Sequence, residues 1–120
     1  MDAKDLHPEV ARAFNAGDVD ALVGLYEADG RLLHPDGTEA RGLDAIREVW
    51  VGFVALGGRL DVTTRYAVES GDIALLSNQW TFEGGGTTAS SVTAEVARRG
   101  ADGAWRYVID NPYASPADAG

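Results

Sequence analysis

Cysteine is absent from the 120-residue chain, and histidine occurs only twice, as His7 and His34. The first absence excludes disulfides, thiol nucleophiles and cysteine-based zinc sites. The wide spacing of the two histidines argues against a His-rich metal site, and no metal or other cofactor is expected. Basic residues are scarce: 10 Lys and Arg face 19 Asp and Glu, a net charge of −9. That balance points away from nucleic acid or an anionic membrane as partner, while leaving room for a small neutral or cationic ligand. No stretch approaches the length of a transmembrane helix. The opening MDAKDLHPEV is charged and lacks a signal-peptide core, so a cytoplasmic protein is expected. The length suits one domain over residues 1–120, with one core and one cavity, and a frayed tail at 114–120.

What is present is patterned. Pro8 suits the first helical position, with Asp5 or His7 as the entry, and a short helix should run through Phe14 until Asn15-Ala16-Gly17 breaks it. Asp18 is a good N-cap for a second helix with Val19, Leu22, Val23 and Tyr26 on its apolar face, ending at Asp29-Gly30. RLLHP reads as a short strand, Pro35-Asp36-Gly37 as a turn and Thr38–Arg41 as a second extended piece. A third helix presents Ile46, Val49, Trp50 and Phe53 and stops at Gly57-Gly58.

Beyond it, LDVTTRYAVE, IALLSNQWTFE, TASSVTAEVARR and AWRYVIDNPY read as antiparallel strands separated by glycine-rich turns. This is an α+β arrangement, helices on one face of an antiparallel sheet. In the last strand, Trp105, Tyr107 and Ile109 should share one side and Val108 the other. The strands are apolar on both alternations, so the face without helices would stay wet unless a homodimer buried it.

Few residues carry chemistry. His34, at a strand end beside the turn, is a candidate acid or base; its plainer reading is an exposed or hydrogen-bonded strand-end residue. Glu95 lies among Val and Ala; it either faces solvent or, if inward, must be protonated or paired with His34 or Asp110. Asp110 either closes the turn at Asn111-Pro112 or orients His34. Gly84–Gly86 lacks the strand–helix context of a phosphate loop, Arg98-Arg99 is too short for a nucleic-acid surface, and Ser77, Ser90 and Ser91 sit in no nucleophile elbow.

NAGDVDALVGLYEADGRLLHPDG, the helix GLDAIREVW and the closing VARRGADGAWRYVIDNPY resemble the SnoaL-like and ketosteroid isomerase-like branch of the nuclear transport factor 2-like superfamily. The resemblance covers most of the chain. It implies a cone-shaped fold, three helices packed on a curved antiparallel sheet around a pocket, and usually a dimer. His34 falls where ketosteroid isomerases carry an aspartate base. The tyrosine that holds the oxyanion there falls on Val10, which donates no hydrogen bond, and the protonated acid falls on Glu95. Tyr26 matches a supporting tyrosine and Trp50 a pocket aromatic. Leu76, Asn78, Trp80, Thr93, Val108 and Asp110 should also face the cavity. Periodicity alone would turn Val92, Ala94 and Val96 inward instead; the family register turns Glu95 inward and is followed here.

The resulting expectation is a cofactor-free acid–base enzyme, of isomerase or cyclase type, acting on an apolar, aromatic or polycyclic carbonyl compound. His34 would move the proton, Glu95 with Asn78 or Tyr26 would stabilise oxyanion charge, and Asp110 would orient His34. Authentic ketosteroid isomerase activity is not expected, given Val10, and no Asp-Arg-Asp set supports epoxide hydrolysis. The rival is a non-catalytic ligand-binding or dimerisation module, since fold does not imply function. An accessory subunit is a third reading.

Overall fold

The computed structural model describes residues 1–115. A 3-10 turn (Ala3–Asp5) leads into α1 (Leu6–Asn15), followed by α2 (Val19–Val23), β1 (Tyr26–Leu33), β2 (Glu39–Arg41), α3 (Leu43–Ala55), β3 (Arg59–Ser70), β4 (Ile73–Gly84), β5 (Thr87–Arg99) and β6 (Trp105–Ser115). The six strands form one sheet in the order β2-β1-β6-β5-β4-β3. The fold is α+β, with helices packed against one face of a curved sheet.

Helix α1 starts two residues before Pro8, which stands in the first turn, where a missing N–H has no intrahelical partner to lose. Its inner face is Leu6, Val10, Ala13 and Phe14, together with His7. The Asp18 side chain accepts from the Ala21 N–H at 3.0 Å and opens α2. That helix ends at Val23, so Tyr26 begins a strand instead of extending the helix to Asp29. The alternative won because Leu25 and Tyr26 dock on β6: the Tyr107 N–H donates to the Leu25 carbonyl, and Tyr26 pairs with Tyr107.

The sheet is not wholly antiparallel, because β1 and β6 run parallel. Between Tyr26 and Arg31, β1 bulges away from its partner. Gly30 permits this: a Cβ there would stand 2.9 Å from the Glu27 carbonyl oxygen. The long hairpins fall where expected. β6 continues through Ala114 and Ser115 into the segment expected to fray, and the rest of that segment lies outside the described residues.

Two further irregularities matter more for the site. Across β5 and β6 the register reads Glu95 opposite Asp110 and Val96 opposite Ile109, then Ala97 opposite Tyr107, which leaves Val108 as an extra residue. A bulge shifts the strand's alternation by one. Tyr107 and Asp110, three positions apart, therefore both turn inward, while Ile109 is exposed. The expectation that Tyr107 and Ile109 share a face, with Val108 at the cavity, is corrected by this bulge. The register shifts again between Val92, opposite Ser115, and Ala94, opposite Asn111, where β6 advances four residues against two of β5.

The interior is a continuous cluster from α1 across to Leu32, Leu76, Phe82, Trp105 and Tyr107. Val49, Trp50 and Phe53 of α3 pack against it from the open side. On the outer face, register aligns Val68, Leu75, Val96 and Ile109 across four strands. Val68, Leu75 and Ile109 of that row are exposed, with Tyr66 and Ile73 nearby on the same two strands.

Candidate functional site

The helices and the inner face of the sheet enclose a cavity of about 210 Å³. Its wall is apolar over most of its extent, with Val10, Phe14, Leu32, Trp50, Phe53 and Phe82 prominent. His7, His34 and Asp110 are its titratable lining groups, with the Tyr113 phenol. Edge-on contacts of Phe14 with Trp50 and Phe82 stiffen this wall.

Behind the wall lies a buried polar floor. Glu95 is 1% exposed, which settles its direction as inward. Asn78 donates from Nδ2 to Glu95 Oε1 at 3.2 Å, and Thr93 Oγ1 accepts the Asn78 backbone N–H at 2.8 Å. The Tyr26 hydroxyl donates to Asp110 Oδ2 at 2.6 Å. Among the described residues Glu95 Oε2 and Asp110 Oδ1 have no conventional donor, although their residues are direct neighbours across β5 and β6. One proton between the two carboxyl groups satisfies both oxygens together, since a protonated carboxyl is a donor and an ionised one only accepts.

The electrostatics follow from burial. Glu95 is pushed up to about 9, first by desolvation and then by the Asp110 charge, with the Thr93 and Asn78 hydrogen bonds only partly opposing. Asp110 is pushed up to about 6 by desolvation, moderated by the hydrogen bonds from Tyr26 and Glu95. The pair therefore titrates as a unit holding one proton near neutral pH, with most of that proton on Glu95. Tyr26 is held well above the usual phenol range by desolvation and by Asp110, so it remains a donor.

An imidazole does meet this floor, but it is His7. Its Nδ1 lies 2.5 Å from the Tyr107 hydroxyl and 3.4 Å from Glu95 Oε2. Desolvation lowers His7 to about 3, so the ring is neutral. His34 lines the cavity, half-buried. Its backbone closes the turn, its N–H donating to the Thr38 carbonyl and its own carbonyl accepting from Gly37. Among the described residues no side-chain hydrogen bond joins His34 to Glu95 or Asp110. The partners of Asp110 are Tyr26 and Glu95, so the expected orientation of His34 by Asp110 is not what the geometry provides.

Of the other residues expected at the cavity, Trp50 and Trp80 line it. Trp80 donates its ring N–H to the Pro112 carbonyl at 2.7 Å, whereas the buried Trp50 ring N–H meets no hydrogen-bond criterion with a partner among the described residues. Tyr26, Asn78 and Glu95 form the floor, Leu76 and Thr93 are fully buried behind it, and Val108 is half-buried away from the lining. Sequence reasoning missed His7 and Tyr107. For His7 a signal existed: it shares a helix face with Val10 and Phe14, three and seven residues on, so it is a polar group on an apolar stripe. Among the described residues no group of three or more His, Cys, Asp or Glu side chains is arranged to hold a metal ion. No described helix is long and apolar enough to cross a membrane.

The SnoaL-like domain family matches residues 9–108. The chain therefore belongs to the SnoaL-like family. No curated protein matches it. Among solved structures it is similar to a ketosteroid isomerase-like protein from Erwinia carotovora atroseptica, at 24% identity over 94% of each chain, with a TM-score of 0.76. It also resembles a nuclear transport factor 2-like protein of unknown function from Shewanella oneidensis, at 20% identity over 89% of this chain and 92% of that one, TM-score 0.77. A third is a protein of the same class with a cystatin-like fold from Novosphingobium aromaticivorans, at 24% identity over 90% and 76%, TM-score 0.74. At these identities the likeness establishes the fold alone.

Proposed function

We propose that the protein is a cofactor-free acid–base enzyme of isomerase or cyclase type acting on a small, neutral, apolar carbonyl compound. The observation that carries this reading is the Glu95–Asp110 carboxyl pair set at an otherwise apolar cavity. A carboxylate kept basic by burial, with a neutral acid beside it, suits proton removal next to a carbonyl. Asp110 is the base. The C–H bond α to the carbonyl breaks, its proton passes to the Asp110 carboxylate, and the electron pair becomes the enolate double bond, with charge on oxygen. Return of the proton to another carbon completes an isomerisation and restores Asp110. The base role thus moves from His34, which lines the cavity as a contact for the ligand, to Asp110.

Cavity size narrows the substrate. An engineered cavity of about 150 Å³ takes up benzene, so about 210 Å³ suits one ring with a substituent or a compact bicyclic compound better than a fused polycyclic skeleton.

The test is deuterium exchange at the α-carbon of a panel of small aryl ketones in D₂O, followed by NMR. Exchange should rise as pH passes through about 6 and fall above about 9, the two values of the pair, and Asp110→Asn should abolish it. Full exchange in Asp110→Asn, or none in the native protein with any ketone that binds, would leave the non-catalytic ligand-binding reading in its place.

The outer sheet face supports a homodimer. Its apolar row runs unbroken across four strands, unlike the scattered apolar residues of an ordinary monomer surface. Leu75→Glu should halve the mass seen in sedimentation; an unchanged mass would remove this face from the assembly.

A further inference from the structure

The proton transfer above assigns no partner to the substrate's oxygen, and the chain has lost the hydroxyl donor that its family resemblance would place at Val10. His7 lies three residues earlier on the same face of α1 and lines the same cavity. It is 6% exposed, and its Nδ1 is occupied by the Tyr107 hydroxyl at 2.5 Å, the two rings meeting edge to face.

Tyr107 is completely buried, and His7 Nδ1 is its hydroxyl's one hydrogen-bond partner among the described residues. A buried O–H has to be given to an acceptor, so Tyr107 donates and Nδ1 accepts. A neutral imidazole whose Nδ1 accepts carries its single proton on Nε2. Nε2 has no hydrogen-bond partner among the described residues, yet it is not one of the fully enclosed orphan atoms, which are Trp50 Nε1, Glu95 Oε2 and Asp110 Oδ1. The ring therefore has an accessible N–H at the cavity.

We propose that His7, locked by Tyr107 in its Nε2–H form, donates a hydrogen bond to the substrate's carbonyl oxygen and to the enolate oxygen that replaces it. This rests on the acid–base reading of the same cavity for its substrate, but not for its geometry. A neutral donor suits the place because the groups facing the ring supply no competing anion near neutral pH. Tyr107 is held above the phenol range by burial and by Glu95, and Glu95 itself remains protonated up to about 9. Asp110, the one ionised member, is engaged by Tyr26 and Glu95. The ligands so recognised are compact aryl ketones and, as stable mimics of the enolate, phenols of similar size.

Two measurements test this without requiring turnover. In ¹⁵N-histidine-labelled protein, long-range proton–nitrogen correlation should show His7 as the Nε2–H tautomer from pH 5 to pH 8. An Nδ1–H tautomer or an imidazolium in that range overturns the proposal. Tyr107→Phe should release the ring to a mixture of tautomers; persistence of pure Nε2–H overturns the lock. Binding of 2-naphthol and of naphthalene is then compared. His7→Phe should weaken 2-naphthol about tenfold, the upper range for one neutral hydrogen bond, and leave naphthalene unchanged, while His7→Gln, which keeps an N–H donor, should recover most of the loss. Equal naphthol affinity in His7→Phe, or equal loss for both ligands, would reduce His7 to packing. Failure of ketone exchange with these results intact would instead sink the role of Asp110.

Discussion

Replacing Glu95 with Gln should flatten the pH dependence of stability on the alkaline side of neutrality. The amide keeps an oxygen to accept from Asn78, and its N–H₂ can be offered to Asp110 in place of the acid proton, so the floor keeps its hydrogen bonds while losing one titration. In the native chain Glu95 is raised from 4.5 to about 9. Between those values the folded state holds a proton that the unfolded state has released, so stability falls as pH rises, by about 1.4 kcal/mol per unit. His7 works in the opposite sense. Lowered from 6.5 to about 3, it makes stability rise with pH between those values, because the unfolded chain binds the extra proton. Asp110, raised from 3.8 to about 6, adds a fall within that narrower window. From pH 6.5 to pH 9 only the Glu95 effect operates among the three, and it amounts to about 3 kcal/mol. Urea unfolding at half-unit steps over that interval, extrapolated to water, is the assay. The native protein should lose about 3 kcal/mol relative to Glu95→Gln. Parallel curves for the two proteins would refute the claim that Glu95 is carried neutral in the fold.

Phe82 closes the sheet side of the cavity and meets Phe14 edge to face. Phe82→Ala should cost about 3 kcal/mol in urea unfolding, the lower end for a buried Phe because it borders space already open, and should admit larger ring systems in the same exchange assay; a loss below about 1 kcal/mol would mean that the wall does not depend on it. Asp18→Ala removes the bond to the Ala21 N–H and should cost about 1 kcal/mol, with Asp18→Asn recovering most of it. An Ala variant as stable as the native chain would show that the short α2 is held by its packing alone. Gly30→Ala places a methyl 2.9 Å from the Glu27 carbonyl oxygen and should destabilise by about 1–3 kcal/mol; a neutral result would show that the bulge in β1 adjusts freely.

The parts of the fold that are legible in the sequence are those fixed by local chemistry. Asp18 reads as a cap, Gly57-Gly58 as a stop, and Ile46 with Trp50 and Phe53 as one helix face, because each depends on residues within a turn or two. Tyr26 reads as helical for the same reason: it continues the spacing of Leu22 and Val23, and only its docking beside Tyr107, far along the chain, overrules that spacing. The bulge at Val108 is likewise invisible. Nothing in WRYVID distinguishes a regular strand from a bulged one, since the extra residue exists only relative to β5. That single irregularity brings Tyr107 and Asp110 to the same face and so builds both halves of the site. The family register turns Glu95 inward against its own periodicity, and the side chain is buried; the cost of burying it is met by Asn78 and by the shared proton.

On the acid–base reading proposed for the cavity, the polar floor also accounts for a neutral ligand in a strongly acidic chain. Six side chains meet there, His7, Tyr26, Asn78, Glu95, Tyr107 and Asp110, yet near neutral pH they carry about one negative charge among them. A second anion in an apolar cavity beside that charge would be poorly screened, since charges interact far more strongly away from bulk water. A carboxylate or phosphate ligand is therefore disfavoured by the same charge that makes Asp110 a base. Under the proposed proton transfer, a ketone would enter uncharged and acquire its negative charge only as its proton moved to Asp110, so the charge would move within the site without increasing. The new oxyanion then sits on the oxygen that the neutral N–H of His7 is placed to meet. A permanently cationic donor would hold Asp110 ionised at a lower pH and weaken it as a base. On this reading, the burial that neutralises His7 and the burial that raises Asp110 serve one purpose: a base and an oxygen donor that do not cancel each other.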